Sequence, residues 1–170
     1  AVNPVHLPAG MEAGLAATAV YQAPVQNFPN GCHVCELEID GETGAVEMVR
    51  YSVVDDVGTV LNPLLLEGQI HGGVAQAAGQ ILLEDICFYD AGELVTASFM
   101  DYALPRGGDL CACVSESKAV PNRTNPLGVK GAGEAGTVGA VPAVANALVD
   151  ALSVLGIRHI EMPATPERIW

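Results

Sequence analysis

The strongest constraint on this chain is a two-residue alternation that turns back on itself. Val34, Leu37 and Ile39 bracket Glu36, Glu38 and Asp40; after Asp40-Gly41-Glu42-Thr43-Gly44 a second run rich in β-branched residues extends from Ala45 to Val54. A period of two sends successive side chains to opposite faces. A short Asp-Gly turn between two such runs predicts an antiparallel hairpin with one acidic, solvated face. Asp55-Asp56-Val57-Gly58 ends the second run, and past Leu61-Asn62-Pro63 the period changes. Leu66, Ile70, Val74, Ala77 and Ile81 recur at helical spacing, which predicts a helix to about Leu83.

Further strands are expected at Gly14–Tyr21, Leu94–Ala97 and Leu110–Val114. A second, Ala-rich helix is expected from about Val141 to Leu155, with Pro142 near its first turn, where a missing N–H costs nothing. Thr165-Pro166 should open one final helical turn. The predicted fold class is α+β: an antiparallel or mixed sheet with long helices packed on it in two layers. Three segments make it up: hairpin and first helix (14–84), glycine loop and second helix (122–160), and a tail (161–170).

Charge narrows the partners. Seven Lys/Arg against twenty Asp/Glu give a net charge of −13, which repels nucleic acid and anionic lipid. No apolar run approaches the roughly 20 residues of a membrane span, so no membrane is expected. Five cysteines, an odd number in a low-cysteine chain, argue for a reducing, cytoplasmic compartment. The chain opens on Ala1-Val2-Asn3-Pro4 without an initiator Met or leader, and reads as a piece of something longer.

Several patterns could carry chemistry. Cys32-x-x-Cys35 with Cys111-x-Cys113 imitates a metal site, but residues three apart on a strand face opposite sides. Buried strand thiols are the better reading, and no metal ligands are assigned. Gly131-Ala132-Gly133-Glu134-Ala135-Gly136 is a literal G-x-G-x-x-G with Asp150 downstream, which imitates a nicotinamide-binding fingerprint. The segment before it is an Asn/Pro loop and not a strand, and Asp150 falls in a helix. The loop offers something else: a nest of backbone N–H groups at Gly131 and Gly133 beside Lys130, with the Glu134 carboxylate inside it. Glu134 is either a solvated residue near a helix start or a general base aimed into a cleft. On the first helix, Gln69, Gly73, Gln76 and Gln80 form a stripe beside the apolar seam, with Gly72 next to them. That stripe fits a polar partner, or a boundary face whose glycines allow close helix packing. His6, His33, His71 and His159 are scattered and read as surface or boundary residues.

Five motifs in order carry a family resemblance: Val53-Val54-Asp55-Asp56-Val57-Gly58, Glu67-Gly68-Gln69-Ile70-His71-Gly72-Gly73-Val74-Ala75-Gln76, Asp101-Tyr102-Ala103-Leu104-Pro105, Gly128-Val129-Lys130-Gly131-Ala132-Gly133-Glu134-Ala135-Gly136 and Met162-Pro163-Ala164-Thr165-Pro166-Glu167-Arg168. The chain resembles the C-terminal part of molybdenum hydroxylase large subunits, the family of xanthine dehydrogenases, aldehyde oxidoreductases and aerobic carbon monoxide dehydrogenases. The resemblance implies a molybdenum–molybdopterin cofactor, in its cytosine dinucleotide form, whose own dithiolene holds the metal. It implies Glu134 as general base, with Gln69, Gly72, Gly73, Lys130, Gly131 and Gly133 at the cofactor. The reaction implied inserts water-derived oxygen into an electrophilic carbon of an aldehyde, an N-heterocycle or carbon monoxide. Implied partners are the N-terminal remainder of the large subunit, iron–sulfur and FAD-bearing subunits or domains, and a small-molecule substrate. By itself the segment should be catalytically silent. The alternatives from other classes are a non-catalytic assembly module and a nicotinamide dinucleotide binder.

Overall fold

The computed structural model describes residues 7–9, 14 and 16–170. The alternating runs form the expected hairpin, β1 (Asn30–Ile39) paired antiparallel with β2 (Val46–Asp56). At the turn the Gly44 N–H donates to the Asp40 carbonyl at 2.8 Å, and Gly44 takes φ 71°, a left-handed conformation that glycine adopts without steric cost. Glu36 pairs with Arg50 but Leu37 with Met48, so Val49 is an extra residue on β2. This bulge resets the alternation and lets both Met48 and Tyr51 face the core.

A third strand, β3 (Cys113–Ser117), runs parallel to β2 on its other side and completes a mixed sheet ordered β1-β2-β3. Met48, Tyr51 and Val53 are buried, whereas Val34, Val54 and Val114 are exposed, so one sheet face carries the core. Two long helices cover that face. α1 (Pro63–Leu82) starts at the N-cap Asn62, whose side-chain oxygen accepts from the Leu65 N–H at 3.1 Å, with Pro63 in the first turn. Its seam of Ile70, Val74, Ala77 and Ile81 is buried as the spacing predicts. α2 (Ala135–Leu152) buries Ala140, Val144 and Leu148 and continues as a 3-10 turn, Ser153–Leu155. The Thr165-Pro166 signal gives α3 (Pro166–Ile169). Nearby, the Ala164 N–H donates to the Ile81 carbonyl, and Arg168 reaches Asp85 at 3.1 Å, tying the tail to the end of α1. The fold class is therefore the α+β, mixed-sheet, two-layer arrangement expected.

Six expectations need correction. Residues 16–21 of the Gly14–Tyr21 strand are irregular and exposed, because no strand among the described residues lies beside them. Around Leu94 there is only a single bridge to Phe88, and the strand expected at Leu110–Val114 lies three residues later, as β3. α2 begins six residues before Val141, so Pro142 sits inside the helix and not near its start. Glycines weaken helices, hence the loop reading of residues 133–140; here Gly136 and Gly139 are required by what packs against them. The segment Ala135–Leu155 is also apolar and long enough to meet the criteria for a membrane span, contrary to the reading that no run is; its buried seam packs within the protein. Finally, Cys35, Cys111 and Cys113 are partly buried as expected, but Cys32 is exposed, and all five cysteines are free.

Candidate functional site

The site grows from the end of β2. Asp56 is buried, and its Oδ1 accepts from the Gly58 N–H at 2.9 Å and the Val120 N–H at 3.0 Å. Its Oδ2 accepts from Lys130 Nζ at 2.5 Å. The Lys130 ammonium, followed by those two backbone donors, holds the Asp56 carboxyl down to about 2. Two backbone bonds, Thr59 N–H to the Gly128 carbonyl and Lys130 N–H to the Val57 carbonyl, both 2.9 Å, stitch the same loop to the β2–α1 connection. A Cβ at Gly58 would stand 2.3 Å from the Gly128 carbonyl oxygen, so that close approach requires glycine. The glycine loop is thus a braced element.

Beyond Lys130 the loop is bare. Neither Gly131 nor Gly133 has positive φ, so the expected nest does not form through left-handed glycines; the left-handed residue is Gly128, at 69°. The N–H groups of Gly131, Ala132, Gly133 and Glu134 nevertheless find no acceptor among the described residues. They lie just ahead of α2, where orphan donors and the helix dipole favour an electron-rich partner. Glu134 is the N-cap of α2, its side chain makes no capping bond, and it is exposed. It lines an open cavity of about 590 Å³ together with Phe28, Gly31, His33, Asp55 and Gly139.

The first helix supplies the neighbouring wall. A Cβ at Gly133 would meet Gln69 Oε1 at 3.6 Å, so the Gln69 amide lies alongside the loop. Gln76 Oε1 accepts from Thr137 Oγ1 at 3.3 Å, while Gln69, Gln76 and Gln80 are all exposed. The glycines divide sharply. A Cβ at Gly73 would stand 2.6 Å from Thr137 N, and one at Gly136 the same distance from the Ile70 carbonyl oxygen; both serve the backbone crossing of α1 and α2. At Gly68, Gly72 and Gly131 a Cβ would meet nothing within 4 Å, and none has positive φ. Nothing among the described residues requires glycine at those positions.

Of the residues singled out from the sequence, Gly131, Gly133 and Glu134 line the cavity, Gln69 lies beside Gly133, and Gly72 is exposed one turn further along α1. Gly73 is enclosed by helix packing, and the Lys130 charge is taken by Asp56. Asp150 lies on exposed α2 surface. Among the described residues no cluster of three or more His, Cys, Asp or Glu side chains is placed to hold a metal ion. Burial, then the neighbouring Cys111, pushes the Cys35 thiol up to about 11, which leaves it a neutral packing group at ordinary pH. One group escaped the sequence reading, the buried set His33, Tyr51 and Asp55. His33 shares its strand parity with Cys35, Leu37 and Ile39, which would have placed it on the core face.

Fold and site together define a two-layer α+β segment with a bare, amide-edged face. Residues 3–111 match the family described as the molybdopterin cofactor-binding domain. The chain belongs to that family. It is 36% identical over 163 residues to the carbon monoxide dehydrogenase large chain of Afipia carboxidovorans, covering 96% of this chain and 20% of that one. It is 40% identical over 162 residues to the nicotine 6-hydroxylase large subunit of Paenarthrobacter nicotinovorans, covering 95% and 20%. In structure it is similar to reconstituted CO dehydrogenase from Oligotropha carboxidovorans, with a TM-score of 0.88 and 36% identity over 96% of this chain and 20% of that one. Quinoline 2-oxidoreductase from Pseudomonas putida 86 gives 0.80 and 42% identity over 83% and 18%. The chain spans about a fifth of the length of these curated relatives.

Proposed function

We propose that this segment forms one wall of the molybdenum–molybdopterin site of a hydroxylase large subunit, with Glu134 as general base. The observation that carries the reading is the set of glycines, Gly68, Gly72 and Gly131, that no contact among the described residues explains. A helix gains stability when an exposed glycine becomes alanine, so bare positions on an open face fit the close approach of a bulky partner. The exposed Gln69, Gln76 and Gln80 amides can pair with pterin heteroatoms, and the free N–H groups at 131–134 can meet its oxygens or phosphates. Gly133 leaves room beside Gln69, while Gly73 and Lys130 frame the face from beneath. When bound, the cofactor supplies the oxygen-transfer and two-electron chemistry. Glu134, the carboxylate at the mouth of the cavity, accepts the proton that must leave the oxygen nucleophile. The cytosine dinucleotide form, electron exit through iron–sulfur and FAD subunits, a small aldehyde, heterocyclic or CO-type substrate, and a cytoplasmic setting belong to the same proposal.

The isolated segment lacks most of the subunit its relatives possess and is proposed to be inactive alone. The nicotinamide reading has less support, since Gly136 of its fingerprint is packed against Ile70 and Asp150 lies outside any strand. Glu134→Gln in the complete, metal-loaded complex tests the assignment. Turnover should fall by at least about 100-fold with molybdenum content retained. Unchanged turnover removes Glu134 as the base; a parent complex without molybdenum favours a non-catalytic assembly module.

A further inference from the structure

In the wall of the cavity lies a largely buried polar set with no part in the chemistry proposed so far. The side chains of His33 and Asp55 are 4% and 3% exposed, with His33 Nε2 3.3 Å from Asp55 Oδ1. His33 Nδ1 lies 2.7 Å from the Tyr51 hydroxyl, and the two rings meet edge-on at 80°. Both contacts are satisfied together when Nε2–H donates to Asp55 and Nδ1 accepts from the Tyr51 hydroxyl. Burial, followed by nearby thiols and Asp55, raises the Tyr51 pKa and keeps its hydroxyl a donor. Both ring nitrogens are therefore occupied, which leaves His33 no free atom for proton transfer to substrate.

Two glycines make room for this set. A Cβ at Gly31 would stand 1.9 Å from Asp55 Oδ1, and one at Gly139 would stand 2.5 Å from His33 Cδ2 and Nε2. The imidazole therefore lies flat against the backbone of α2, five residues past Glu134. At 1.5 Å per residue that is about 7.5 Å along the helix axis. Gly136, three residues earlier on a neighbouring face, packs the same helix against α1, so the start of α2 is held by two close contacts. Among the described residues Asp55 Oδ2 has no partner and Oδ1 has only His33, so the imidazole is what steadies that side chain there.

We propose that His33 is a positioning residue, which holds the first turns of α2, and with them Glu134, against β1 through Gly139. The proposal rests on the reading of Glu134 as base. It is tested in the complete metal-loaded complex by His33→Ala, His33→Gln, Gly139→Ala and the double variant H33A/G139A. Amide hydrogen exchange over residues 131–140 is measured beside kcat, KM and molybdenum content. Exchange there should rise in His33→Ala, and kcat should fall about 10- to 100-fold with KM and molybdenum unchanged. Gly139→Ala should reproduce both effects by displacing the ring, and the double variant should be no worse than His33→Ala. His33→Gln keeps a donor for Asp55 but no flat ring, and should show the same effects without loss of fold. Unaltered exchange in His33→Gln and Gly139→Ala, or strictly additive losses in the double variant, would overturn the proposal. Exchange needs no catalytic base, so normal turnover in Glu134→Gln removes the base assignment while exchange still decides whether His33 holds the helix.

Discussion

Gly72 and Gly73 are neighbours in sequence and opposites in physics. Gly73 sits where α2 crosses α1, and an alanine there meets Thr137 N at 2.6 Å and Gly136 backbone at 2.8 Å. Backbone cannot move aside as a flexible side chain can, so Gly73→Ala should cost about 1–3 kcal/mol. Gly72 faces open space, and Gly72→Ala should stabilise α1 by about 0.5–1 kcal/mol. Hydrogen exchange of the α1 amides in the cofactor-free subunit checks both signs: faster in the first variant, slower in the second. Equal effects would mean that the two glycines share one role. Of the two sequence readings of the Gln and Gly stripe, close helix packing holds at Gly73, while the polar-partner reading at Gly72 belongs to the proposal.

At the scale of elements, the glycine loop is held by its charge pair. The folded Asp56 carboxyl, at about 2, lies below the ordinary carboxylate value of about 3.9. A depressed acid contributes stability above its unfolded pKa and loses it as pH falls through the folded one. Local opening of residues 128–134 should therefore rise between about pH 4 and pH 2. Asp56→Asn should open the loop already at neutral pH and flatten that acid response, as read by pulse-labelled exchange. The hairpin and α1 were legible because alternation and helical spacing depend only on side-chain polarity. The start of α2 was not, because Gly136 and Gly139 serve α1 and His33, partners remote in sequence. The Gly14–Tyr21 strand failed for a related reason: a pattern can favour an extended chain but cannot supply a neighbouring strand. For the site, motif order located Glu134 and Gln69, while the Asp56 pairing of Lys130 and the His33 set required the sheet register.

The whole molecule exposes more than its size demands. Its accessible surface is 11944 Å², against about 7,900 Å² for a compact monomer of 17.5 kDa. Leu61, Leu64 and Leu65 at the start of α1 are exposed, as are Phe28, Phe99, Met100 and Trp170. So is the outer sheet face at Val34, Val54 and Val114. Such apolar surface drives association in water. The 170-residue chain alone should self-associate at micromolar concentration in sedimentation velocity; a single monomeric boundary would show that these surfaces tolerate solvent. The central claim, that the bare face of α1 and the glycine loop seats the pterin cofactor, is tested most directly by Gly72→Leu in the complete subunit. Molybdenum and pterin per subunit should fall several-fold while the helix keeps its exchange protection, and full occupancy with the leucine in place would contradict the account.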